Sequence, residues 1–94
     1  MSNSWWVYIL RCADQSLYTG VTKDPERRLQ EHNHGPKGAR YTRSRRPVNL
    51  VLSVALPFKE DAYQAEYQIK RMNKKAKEAI IAQGASHSFF AQWK

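Results

Sequence analysis

Ninety-four residues make one domain rather than two, and 41% hydrophobic residues with three Trp, five Tyr and three Phe are enough for a packed interior, which argues against a disordered chain. Sixteen Lys and Arg against eight Asp and Glu give a formal charge of +8, which points to a polyanionic partner: nucleic acid first, an anionic membrane surface second. A single cysteine excludes an intramolecular disulfide. No apolar run nears the roughly 20 residues of a membrane span, and MSNSWW lacks the basic start and apolar stretch of a signal peptide, so the expected location is cytoplasmic.

Residues 5–12, WWVYILRC, are aromatic and β-branched and almost continuously apolar, the pattern of a strand covered on both faces. Ala13-Asp14-Gln15-Ser16 is a polar turn, and Leu17 to Val21 returns as the second strand of a hairpin. The distance between Tyr8 and Tyr18 then depends on register. Gly20 inside a strand marks a bulge or a place where something must approach the backbone closely. Cys12 reads as a small core residue. Asp24-Pro25-Glu26 is a strong helix start, with Asp as N-cap, and Gly35-Pro36 ends that helix near Asn33. It carries Arg28 and His32 four apart, hence as neighbours.

Residues 34–47 read as an irregular loop holding five basic residues, Lys37, Arg40, Arg43, Arg45 and Arg46, with Tyr41 among them. That mixture suits backbone phosphates and a stacking base, the alternative being a solvated basic loop. Val48 to Leu56 is the third strand, stopped by Pro57. From Glu60 to about Lys75 a helical stripe of Ala62, Ala65, Ile69, Met72 and Ala76 appears, flanked by Tyr63, Tyr67 and Lys70. A last helix runs from about Lys77 to Gln83 and ends at Gly84. The aromatic tail at 85–94 holds Phe89, Phe90 and Trp93, which either pack back on the body or serve a protein interface. The order is β-β-α-β-α-α, a small α+β domain spanning residues 1–94 with its core at about 5–84.

Glu66 falls within the core stripe of its helix, where a carboxylate needs a cation or dense hydrogen bonding. It is either half of a structural pair with Arg28 or Lys70, or a hard oxygen ligand for one Mg²⁺. His32-Asn33-His34 with a distant Cys12 lacks the paired spacings of a structural zinc site.

Trp6-Val7-Tyr8, then Tyr18-Thr19-Gly20 ten residues on, then Arg28, His32 and a helical Glu66 after the third strand, resemble the ordered signature of the GIY-YIG endonucleases. The resemblance covers nearly the whole chain and is strongest to short stand-alone bacterial members; Trp6 and Val7 replace the Gly-Ile of the first triplet. It implies a three-stranded antiparallel sheet with helices around it, and hydrolysis of DNA phosphodiester bonds with one divalent ion, Mg²⁺ or Mn²⁺. Under it Tyr8 would act as base or orient the attacking water, Tyr18 would assist, Arg28 would steady the phosphate, His32 would support the water or the tyrosine, and Glu66 would hold the metal. A tyrosine with pKa near ~10 is phenolate in about one molecule in a thousand at pH 7, so a base role demands help from a cation. The alternative is a nucleic-acid-binding module that keeps the nuclease fold with little or partner-dependent activity.

Overall fold

The structure, a computed structural model, describes residues 4–85, 89 and 90. Strands β1 (Trp5–Arg11), β2 (Leu17–Thr22) and β3 (Asn49–Leu56) form one antiparallel sheet in the order β2-β1-β3. Its central member is the strand whose sequence is apolar on both faces. Alternation then separates two cores. Val7 and Ile9 join Leu52, Val54 and Leu56 against Ala62, Ala65 and Ile69, with Ile80 and Phe90 beside them. Tyr8, Leu10 and Cys12 turn to the opposite face with Val48, where Tyr18, Leu29 and Leu50 close over them.

The hairpin turn is held by Asp14, whose Oδ1 accepts from the backbone N–H of Ser16 at 3.0 Å, and Gln15 takes the left-handed conformation (φ 70°). Helix α1 (Pro25–Asn33) begins as expected: the Asp24 carboxylate accepts from the Arg27 N–H, and Pro25 opens the first turn. Its last residue, Asn33, makes a two-way clasp with Val48, donating to the carbonyl at 2.9 Å and accepting from the N–H at 2.8 Å. Residues 34–47 are therefore tied at both ends.

That segment contains a helical turn, α2 (Arg40–Arg43), where an irregular loop was expected. The five residues from Ala39 to Arg43 lack Gly and Pro, and the turn is pinned from inside by Thr42. Arg46 also binds the fold: its Nε donates to the His32 carbonyl at 2.6 Å and its Nη2 to the Gly35 carbonyl at 2.8 Å, capping the C-terminus of α1. Gly38 has no room for a side chain, since a Cβ there would lie 2.7 Å from the Glu31 carbonyl.

Helix α3 (Lys59–Arg71) ends earlier than its periodicity implies, and α4 (Lys74–Gln83) starts earlier. The reason is Asn73, whose side chain accepts from the Ala76 N–H at 2.9 Å and so caps a new helix. Ala76 accordingly belongs to α4. Gly84, at φ 79°, ends α4 as expected. A bidentate pair from Arg11 to Glu78, at 2.6 and 2.7 Å, fastens α4 to the sheet. From the tail, Phe90 is buried in the first core and Phe89 meets it edge to face; Trp93 lies outside the described residues. No helix among the described residues is long and apolar enough to cross a membrane.

Candidate active site

Tyr8 sits in the middle of β1 opposite Gly20 of β2. Its ring lies across the backbone of that glycine, so closely that a Cβ on Gly20 would fall 2.5 Å from the phenol oxygen and 2.6 Å from Cζ. The close approach anticipated at Gly20 is therefore made by Tyr8 itself. The tyrosine is 2% exposed, and burial pushes its pKa from 10 up to about 12. Arg28, beside the phenol, pulls the other way, while Tyr18 and Glu66 add to the rise. At pH 7 a group with that pKa is phenolate in only about one molecule in 10⁵, a deficit of about 7 kcal/mol. Burial thus outweighs the cation here, and the demand on any base role is larger than for a free tyrosine.

The partner that makes this burial tolerable is His32. Helix α1 carries it one turn beyond Arg28, fully buried, with Nε2 2.8 Å from the Tyr8 oxygen and Nδ1 2.8 Å from Thr42 Oγ1. Burial lowers the imidazole pKa from 6.5 to about 4, helped by the charges of Arg28 and Arg46. His32 is therefore neutral at pH 7, and only a neutral imidazole can accept a proton from a phenol. Arg28 itself is braced: Nη1 donates to Glu31 at 2.9 Å and to the Lys37 carbonyl at 2.7 Å.

Tyr18 pairs with Leu10, two places along the ladder from Tyr8 and on the same face. Its ring meets His32 edge-on at 5.2 Å and stacks on Tyr41 at 5.9 Å. Arg45 lies over Tyr41 with its guanidinium carbon 3.9 Å from the ring centre, and bonds Asp14 of the hairpin turn at 3.0 Å. The five basic residues of the segment therefore divide. Arg45 and Arg46 are half-buried and bonded to the protein, whereas Lys37, Arg40 and Arg43 are exposed and have no ion pair among the described residues.

Glu66, on α3, adds its charge to the rise at Tyr8, while its ion pair among the described residues is with Lys70. It is not sealed in the core as its place in the stripe implies: its side chain is 21% exposed, and Lys70 stands 3.5 Å from Oε2. Arg28 pairs with Glu31 instead. The helix phase accounts for this exposure and for the Lys70 pair, because Glu66 sits at the edge of the stripe, between buried Ala62 and Ile69 on one side and exposed Lys70 on the other. No group of three or more His, Cys, Asp or Glu among the described residues could enclose a metal. A lone, partly exposed carboxylate suits a hard ion such as Mg²⁺, which keeps most of its shell as water and substrate oxygen.

One residue of the site escaped the sequence reading. Thr42 is fully buried, contacts His32, and comes from a helical turn that has no hydrophobic period. A threonine among arginines carries no signal of that role.

The family model for the GIY-YIG catalytic domain matches residues 4–79. The chain is 47% identical over 78 residues to the UPF0213 protein DP2720 of Desulfotalea psychrophila, covering 83% of this chain and 71% of that one. To the UPF0213 protein YhbQ of Escherichia coli it is 43% identical over 81 residues, covering 86% and 80%. The solution NMR structure of the UPF0213 protein BH0048 from Bacillus halodurans superposes with a TM-score of 0.57 at 44% identity, over 86% of this chain and 85% of that one. With the motif tyrosines on one hairpin, Arg28 and His32 on the first helix and Glu66 on the helix after β3, the chain belongs to the GIY-YIG family of nuclease domains.

Proposed function

We propose that the protein is a metal-dependent endonuclease that hydrolyses DNA phosphodiester bonds. The observation that carries this reading is the 2.8 Å contact between the buried Tyr8 phenol and a neutral His32, with Arg28 beside them. A purely structural tyrosine in an apolar cluster needs one hydrogen-bond partner; it does not need that partner to be a titratable base flanked by a guanidinium.

In this reading Tyr8 passes a proton through rather than losing one. The attacking water gives its proton to the Tyr8 oxygen as the phenol proton moves to His32 Nε2, so a free phenolate is never formed. The water oxygen bonds to phosphorus, the bond from phosphorus to the leaving oxygen breaks, and the leaving oxygen takes a proton from solvent. Arg28 donates to the phosphate oxygens through the N–H groups not used by Glu31 and Lys37. The phosphate's negative charge also offsets the Arg28 field that makes His32 a weak base. Glu66 would hold a divalent ion, whose chemistry is to neutralise charge on the phosphate and the leaving oxygen. Lys37, Arg40 and Arg43 would meet the flanking backbone.

The second reading, a binding module with the nuclease fold, draws on the pairing of Glu66 with Lys70. Nicking of supercoiled and branched DNA with Mg²⁺ or Mn²⁺ separates the two. The nuclease reading expects cleavage by the wild type, a loss of about 100-fold in Arg28→Ala and a comparable or larger loss in Glu66→Ala. Equal cleavage by all three would mark a contaminant, and binding without cleavage would favour the module.

A further inference from the structure

Thr42 makes two contacts that together decide where the proton of His32 sits. Its Oγ1 lies 2.8 Å from His32 Nδ1 and 2.9 Å from the Ala39 carbonyl oxygen. A carbonyl has no proton to give, so the Thr42 hydroxyl donates to Ala39, and a hydroxyl has only one proton. The proton between Oγ1 and Nδ1 must then belong to the imidazole. A neutral imidazole protonated on Nδ1 is bare on Nε2, and the Tyr8 phenol, 2.8 Å away, can only be the donor there. Among the described residues, the contact favouring the opposite arrangement is the Ala39 N–H, which points at Nδ1 from 3.5 Å and is correspondingly weak.

We infer that Thr42 is a positioning residue: by donating its hydroxyl hydrogen bond to the Ala39 carbonyl it holds the His32 proton on Nδ1, and so aims the Tyr8 phenol proton at His32. With the other tautomer Nε2–H would donate to Tyr8, and the tyrosine could not hand a proton inward. The side chain suits the task. Its branch at Cβ restricts χ1, it is fully buried, and its helical turn is fastened by the same bond to Ala39. The direction of the hydrogen bond is thus set 10 residues from the histidine, in a segment that also carries five basic side chains.

The consequence for cleavage rests on the nuclease reading; the position of the proton does not. Two-bond ¹H–¹⁵N correlation spectra of histidine-labelled protein at pH 7.5 report the tautomer directly. The wild type is expected to show His32 protonated on Nδ1, Thr42→Ser to keep that pattern, and Thr42→Val to lose it in favour of Nε2–H or a mixture. In the nicking assay Thr42→Val then loses on the order of 100-fold in rate while Thr42→Ser stays within about threefold of wild type. A wild-type His32 protonated on Nε2 would overturn the inference even if no variant folds. So would a folded Thr42→Val that keeps the Nδ1–H tautomer. If the wild type does not cleave DNA at all, the nuclease reading fails and the spectra still decide what Thr42 does.

Discussion

Tyr8 and Tyr18 come from matching motif triplets on adjacent strands, yet their surroundings share little. Tyr8 is almost wholly buried, hydrogen-bonded to a buried neutral histidine, and its phenol is held far from ionisation. Tyr18 is half-buried, stacks on Tyr41, meets His32 only by its ring edge, and makes no hydrogen bond among the described residues. The motif places both rings on one face of the sheet; what each can do is decided by α1 and by the segment that follows it. On the proposed reading Tyr8 would be the chemical group, and Tyr18 a wall whose ring edge packs against the imidazole.

The sharpest way to break the comparison is to remove each hydroxyl alone. Tyr8→Phe is expected to lower nicking by about 10³-fold, within the range for loss of a proton-transferring group. Tyr18→Phe keeps the stack and should cost less than about 10-fold. Equal losses would mean that the two tyrosines act together and that burial does not separate their roles.

Acid tests the sealed half next. His32 has a pKa of about 4 in the folded protein against 6.5 unfolded. Between those values the unfolded chain binds a proton that the folded chain refuses, so stability falls as pH drops from 6.5 towards 4. The full loss is about 3 kcal/mol. Urea melts at pH 7.5 and pH 5 should show most of the part of this loss that lies in that interval, above the range where carboxylates titrate. A flat profile would mean that the imidazole can charge in place.

The smallest effect expected is at the open edge. Exposed Arg40 and Arg43 should each meet a phosphate, so the double alanine variant should flatten the salt dependence of DNA binding by about 2 in log–log slope. Arg45→Ala instead removes the clamp on Tyr41 and Asp14. It should change the slope by less and lower stability by roughly 1 kcal/mol or below, as for other partly exposed ion pairs.

How far the sequence carries the argument can be read from particular residues. The hairpin, the Asp24-Pro25 helix start, the Gly84 stop and the buried face of α3 were legible, because apolar period and capping chemistry are local. Asn73 was less so: the stripe ran on through it, and its capping bond depends on where the chain must turn. The candidate site residues were legible as an ordered motif, but the partners the fold gives them were not. Charge in the 34–47 segment is visible in the sequence; that Arg46 spends its guanidinium on α1 carbonyls and Arg45 on Asp14 is a product of folding. Thr42 was the least legible of all, since the role inferred for it rests on bonds to a histidine on another element and to the Ala39 carbonyl.

The measurement that tests the central claim most directly is the ¹⁵N spectrum of His32 between pH 7.5 and 5, in the wild type and in Tyr8→Phe. The account predicts a neutral imidazole throughout, with an Nε2 resonance that moves when the Tyr8 hydroxyl is removed. An imidazolium already formed at pH 6.5, or an Nε2 resonance indifferent to Tyr8→Phe, would contradict it.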